Sequence, residues 1–342
     1  MNSKHGQNHR RFISRLTTLF ILFRISFPPV LSQDIHFTLF NNSPLSVNPA
    51  NTGNFDGNWR IAGNYRDQWR AISEPFTTAS VSFDRHFYIY NQKIDGGIYL
   101  INDNSGAIGL TANKIYLSLA CEKSFSKNLF RFGLQAGYAF LAYEGDNLTY
   151  PVDWNMHEGR FVGGNPSEKS AYPDVNLGVI WKTAIKIFEP QLGISLSHIN
   201  FPNESFFDTK ERLPVRYHFH GSTGIKFSEK IYLHPAFIYM NRKSASEMVM
   251  GTNVGFRVFE KRSAVKELTA GLYFRDGFFK NADALSIAGG VTIGRLDIAL
   301  CYDYNISGLK VATGNKGAFE LSFTYRSIST VLNSYSIPCE RF

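Results

Sequence analysis

His218 and His220 stand two apart, and on an extended strand that spacing turns both imidazoles to one face, as two ligands of one metal require. A zinc site needs a third or fourth ligand nearby, and no His, Cys or acid at ligand spacing accompanies them. Two solvated histidines lining a polar face are the expectation. Gly163-Gly164-Asn165-Pro166-Ser167-Glu168-Lys169-Ser170 has the small residues and the Lys-Ser end of a phosphate-cradling loop. It lacks the glycine before the lysine, with neither a strand before it nor a helix after it, and reads as a flexible surface loop. Ser197-His198 offers a nucleophile and a base, but neighbours on a strand point to opposite faces and cannot act together. Asp153, Glu158 and Glu168 read as solvated loop charges rather than paired catalytic carboxylates. Asn147-Leu148-Thr149 fits a glycosylation acceptor without evident meaning here. No catalytic residue, metal site or cofactor site follows, and the chain is not expected to be an enzyme.

The elements that carry these residues are strands. In Leu129 to Tyr143, Phe130, Phe132, Leu134, Ala136, Tyr138, Phe140 and Ala142 share one parity, and Arg131, Gly133, Gln135 and Gly137 share the other. A period of two marks a strand whose faces meet different surroundings. The apolar face suits either a soluble core or lipid, with the small polar face then lining a lumen.

Composition narrows the choice. Of 342 residues, 15% are aromatic and only 19% charged, a balance that favours strands. The net charge is +8, but Lys4, Arg10, Arg11, Arg15 and Arg24 precede residue 33 without any acid. Removing those five leaves 31 basic residues against 28 acidic, so the basicity is no nucleic-acid footprint. Residues 1–32 read as a secretory signal peptide: a basic start, an apolar run from Leu16 to Phe23, and Val30-Leu31-Ser32 before Gln33. Cys121, Cys301 and Cys339 are too widely spaced for a disulfide framework or a zinc pattern. After residue 33 no apolar run of roughly 18 residues could form a membrane helix. A secreted β-sandwich and an outer-membrane β-barrel remain.

About fourteen strands follow Asp56, separated by long connections after odd strands, at Glu144 to Tyr172, Asn200 to Pro214 and Ser307 to Gly317. Connections after even strands are mostly tight, as at Ser126 to Asn128, Ser228 to Lys230 and Arg295. An up-and-down meander with long loops at one end and short turns at the other is the plan of an outer-membrane barrel, and a Greek-key sandwich gives no reason for it. The expected fold is therefore all-β: a transmembrane barrel of about 14 antiparallel strands at 57–327, with both termini in the periplasm. Tyr65, Trp69, Tyr143, Tyr302 and Tyr325 fall toward strand ends, where aromatic girdles sit. Residues 33–56, broken by Pro44, Pro49 and Gly53 but anchored by Phe37, Leu39, Phe40, Leu45 and Val47, form a plug-like segment at the periplasmic entrance. Residues 328–342 are a periplasmic tail. Tyr150, Trp154 and Phe161 in the longest loop are candidate surface contacts, either for a partner or for packing of the loop on itself.

Gln33-Asp34-Ile35-His36-Phe37, Asn48-Pro49-Ala50 and Thr52-Gly53, then Tyr65-Arg66-Asp67-Gln68-Trp69, Pro75-Phe76 and Ser80 to Asp84, resemble the start of the PorP/SprF family of type IX secretion system membrane proteins. Cys339 near Phe342 is similar to that family's short Cys-bearing tail. The resemblance implies a non-catalytic outer-membrane barrel of secretion and gliding machineries, without cofactor. Its implied partners are a secreted surface protein, recognised through a type B C-terminal domain, or core and ring proteins of the apparatus, besides outer-membrane lipid and no nucleic acid. It marks Asn48, Pro49, Gly53, Tyr65, Arg66, Trp69, Pro75 and Phe76 as motif positions and candidate partner contacts. Arg66 and Arg131 face the lumen in this reading, pairing with Asp84 or Glu122, or with an acidic strand of the partner. A diffusion porin or small-solute transporter is the competing reading, and a barrel enzyme a distant third.

Overall fold

The computed structural model describes residues 36–329 except 71–73, 91, 107–108, 144–153, 157–159, 162–166, 207–211, 243–244, 260–262, 278–281 and 309. The strands are β1 (Trp59–Gln68), β2 (Phe76–Ile89), β3 (Gln92–Ser105), β4 (Leu110–Phe125), β5 (Asn128–Tyr143), β6 (Trp154–Asn155), β7 (Arg160–Phe161) and β8 (Glu168–Thr183). They continue as β9 (Phe188–Ser197), β10 (Arg216–Lys226), β11 (Ile231–Arg242), β12 (Ala245–Arg257), β13 (Val265–Asp276), β14 (Ala282–Ile293), β15 (Leu296–Asn305) and β16 (Lys316–Arg326). β6 and β7 form a separate two-residue ladder within the longest loop. The other fourteen strands pair antiparallel, each with its neighbour in the chain, and β1 meets β16 to close a barrel. Closure leaves the barrel itself without a free edge. Among the described residues no helix is long and apolar enough to cross a membrane.

The alternation read from the sequence becomes two surfaces. Along β5, Phe132, Leu134, Tyr138 and Phe140 point outward and stay exposed, while Arg131, Gly133 and Gln135 point inward and are buried. The outward face is apolar on every strand, an extent of exposed hydrophobic surface that lipid, not water, would cover. Two-residue turns such as 126–127 and 294–295 close hairpins at one end, Gly294 supplying a positive φ of 61°. The connections 144–167, 198–215 and 306–315 lie at the opposite end, hereafter the outer end because long loops of such barrels are extracellular.

Two differences from the sequence reading bear on the lumen and the long loop. β8 begins at Glu168, within the stretch expected to be loop, and Glu168 to Ser170 pair with Tyr143 to Leu141 of β5. Lys169 and Ser170 carry no strand signature of their own; the ladder of β5 extends them. The supposed phosphate-like loop therefore ends in a strand. The segment expected at the periplasmic entrance instead occupies the lumen. His36 lies 3.1 Å from Glu247, two residues into β12 at the outer end, and Asn58 meets Ser327 at the inner rim. Between them the chain descends as three short helical turns, Phe40–Asn42, Pro44–Val47 and Pro49–Asn51. Its apolar residues draw it inside. Leu39, Phe40 and Val47 pack on Ala236, Ile238, Met240, Val249 and Tyr273, and Leu45 on Tyr99 and Tyr116. Burying side chains of this size is worth roughly 1.5–3 kcal/mol each. The described chain thus starts at the outer end rather than in the periplasm.

Candidate functional site

The site is the seat that the barrel wall builds for residues 36–56. Asn48 occupies its middle. Its side-chain oxygen accepts from the Ala50 amide at 2.9 Å and so caps the turn that Pro49, at its first position, initiates. Its amide nitrogen lies 3.2 Å from the Val179 carbonyl, 3.1 Å from the Ile194 carbonyl and 3.1 Å from His220 Nε2. The wall is cut away to admit this turn: a Cβ on Gly178 would strike the Asn48 side chain, and one on Gly133 would strike the Pro49–Ala50 backbone. The Val47 carbonyl accepts from Ser195 Oγ at 2.7 Å and from His218 Nδ1 at 3.0 Å.

Below the turn, charge takes over. Arg131 donates from Nε to the Ala50 carbonyl at 3.1 Å and from Nη2 to the Thr52 carbonyl at 2.5 Å, and pairs with Asp95 and Glu122. One buried guanidinium thereby satisfies two acids and two backbone carbonyls, a use of its rigid fork of donors that lysine could not repeat. Asp84 accepts from the Gly53 amide at 2.7 Å and from Arg60, whose Nη2 also reaches the Asn51 carbonyl. Gly53 has a φ of 69°, and a Cβ there would collide with Asp95. Thr52 Oγ1 meets Ser118 Oγ at 2.5 Å, and His86 Nδ1 meets Asp95 at 2.6 Å.

Near the outer end a second ionic group surrounds Thr38. Glu320 accepts from the Thr38 amide at 2.7 Å and the Leu39 amide at 2.9 Å, and pairs with Arg66. Asp303 pairs with Arg66 at 3.0 Å and Arg275 at 2.8 Å, and both arginines donate to Thr38 Oγ1 at 3.0 Å. Asp303 sits where the β15–β16 register slips between Tyr302 and Tyr304, an irregularity of the kind that re-aims a side chain. Buried ions like these are costly to desolvate and persist because every partner is in place.

The motif positions divide. Asn48, Pro49, Gly53 and Arg66 converge on the seat. Tyr65 points outward on the lipid-facing side, and Trp69 packs edge-on against Phe76 with ring centroids 5.1 Å apart at the outer rim, just after Pro75. Trp154 and Phe161 pair through their backbones in β6 and β7, while Tyr150 lies outside the described residues. Asp153 and Glu158 also lie outside them. Arg131 takes Glu122 as expected, but Arg66 does not take Asp84. Register decides this: Asp84 stands opposite Arg60, and Arg66 stands opposite Glu320. His218 and His220 face the lumen but are buried against the segment rather than solvated, because Val47 and Asn48 fill the space in front of them. His198 pairs with Asp174 at 2.9 Å, and Asp174 accepts from Tyr116 at 2.7 Å. Sequence reasoning passed over Gly178, Asp95, Asp303 and Glu320; their only signal is inward parity on their strands.

Residues 30–325 match the family described as type IX secretion system membrane protein PorP/SprF. No curated protein matches the chain. Among solved structures, the CymD monoaromatic hydrocarbon channel is similar at 11% identity and a TM-score of 0.50, covering 86% of this chain and 95% of that one. The toluene transporters TodX of Pseudomonas putida (10%, TM-score 0.48, 83% and 93% covered) and TbuX of Ralstonia pickettii (10%, 0.47, 84% and 94%) are also similar. At such identity the likeness to CymD speaks for a common outer-membrane barrel fold alone. With the family match spanning nearly all of the barrel and the segment seated in it, the chain belongs to the PorP/SprF family of type IX secretion system membrane proteins.

Proposed function

We propose that the protein is a non-catalytic outer-membrane component of type IX secretion that assists the export or surface anchoring of one partner protein through that partner's type B C-terminal domain, or joins the core apparatus. One observation carries this reading beyond family membership: the lumen is occupied by the chain's own residues 36–56, held by buried charge and backbone contacts from β1 to β16. A barrel that spends its inward-facing ions on its own segment is suited to holding a protein rather than to passing solutes. The rims and loops, including β6, β7 and the Trp69–Phe76 corner, are then the surfaces left for a partner.

The test is a detergent pull-down of the tagged protein from its native outer membrane, with mass spectrometry of what accompanies it. Recovery of one large secreted protein, lost when that protein's C-terminal domain is deleted, supports the anchoring role. Recovery of periplasmic ring components supports a place in the core apparatus. Recovery of the barrel alone, with open conductance in planar bilayers, would leave a diffusion porin and overturn the proposal.

A further inference from the structure

Thirteen of the fourteen joins in the barrel wall connect strands that follow one another around the meander. The remaining join, β1 with β16, pairs Gln68 with Ala318 and Arg60 with Arg326, residues at opposite ends of the barrel sequence. Its formation closes the largest loop in the molecule and carries the largest entropic cost of any strand pairing. Residues 38–42 lie across the inner side of this join.

Their contacts follow its register. Arg66 of β1 and Glu320 of β16 are cross-strand partners, and both hold Thr38: the guanidinium donates to its hydroxyl at 3.0 Å, and the carboxylate accepts its amide at 2.7 Å. Asn64 of β1 and Ser322 of β16 are the next inward-facing partners, and both hold Asn42. Asn64 donates to the Asn42 carbonyl at 3.2 Å, and Asn42 donates from its side chain to Ser322 Oγ at 2.7 Å. Two successive residue pairs of the join thus each grip one residue of the segment from both sides. At the foot of the same join, Ser327 Oγ accepts from the Asn58 and Trp59 amides at 3.0 and 2.9 Å. The segment is also held by cross-strand partners at the β9–β10 join, where Ser195 and His218 meet the Val47 carbonyl, and at the β8–β9 join, where Asn48 meets the Val179 and Ile194 carbonyls, but these join strands that are already neighbours in the chain.

We infer that residues 38–42 are an internal strap that closes the barrel wall between β1 and β16. The segment is tethered to β1 through the short stretch 43–58, so its affinity for Glu320 and Ser322 raises the local concentration of β16 beside β1. Once the wall is closed, residues 38–42 resist lateral parting at this join.

Amide hydrogen exchange of the full-length protein in detergent, read strand by strand by mass spectrometry, tests this. The T38A/N42A variant should speed exchange in 60–68 and 318–326 by tenfold or more while leaving 110–143 unchanged. The N48A variant, which loosens the segment at the opposite wall, should leave the β1–β16 join unchanged. A disulfide between I61C and Y325C, outward-facing partners in the join, should restore slow exchange to T38A/N42A. A rise spread evenly over all strands, no rise at all, or an equal effect of N48A on the join overturns the inference. If T38A/N42A does not assemble, the N42C/S322C pair in a background without native cysteines reads the same property in reverse. Its oxidation should slow exchange in 60–68 and 318–326 selectively, and an unselective effect or none overturns the inference.

Discussion

Gly133 on β5 and Gly178 on β8 are cross-strand partners, and together they leave a bare patch of wall against which Ala50 and Asn48 lie. The patch needs both glycines, since a side chain at either position would occupy space the turn already fills. Replacing Gly133 or Gly178 with Val is expected to displace the turn from the wall. Planar-bilayer recordings should find the unaltered protein closed and both variants conducting. Gly289→Val is the control, because a side chain there meets nothing within 4 Å. Silence of both lumenal variants would mean that the segment can shift without uncovering a path.

Asn48 serves as cap and anchor at once. Asn48→Ala should lower stability by about 1–3 kcal/mol, the cost of leaving buried backbone groups without partners. Asn48→Asp should be worse, because it sets a carboxylate against the Val179 and Ile194 carbonyls. Thermal unfolding in detergent, followed by the gel shift between folded and unfolded barrel, ranks the two.

Arg131 is the hub of the inner half of the seat. Arg131→Ala leaves Asp95 buried without its cation and is expected to cost about 3–5 kcal/mol. Adding Asp95→Asn should recover part of that loss, whereas Arg131→Lys should not, since an ammonium cannot span both carbonyls and both acids. Denaturant midpoints of the three variants, compared at equal slope, decide the matter.

The outward face makes a separate prediction. Leu134→Arg should destabilise the barrel by about 2–4 kcal/mol in a bilayer, where the side chain meets hydrocarbon near mid-depth. The same substitution in a loosely packed detergent micelle should cost much less. Equal effects in both media would argue against lipid as the solvent of this face.

The barrel was legible because its signal is periodic and local: Phe132, Leu134 and Phe140 against Arg131, Gly133 and Gln135 define two faces without reference to any other strand. The seat was not, because its contacts join residues far apart in the chain. Arg66 finds Glu320 and Asp303, and nothing in the spacing around Arg66 announces either. Asn48 and Gly53 stood out only as motif positions; that their side-chain and backbone groups are read by β8, β9 and β2 depends on a fold that brings those walls together. Lys169 and Ser170 misled for the opposite reason, having loop-like character locally and strand geometry imposed by β5.

An even-stranded barrel returns its chain to the compartment from which it came. The run from His36 to Asn58 adds one more traverse of the same thickness, inside the ring rather than in it. Fifteen passages, being odd, bring His36 and Ser327 to opposite mouths of the barrel. The described residues thereby reach both mouths of the barrel, with no helix among them long and apolar enough to cross a membrane.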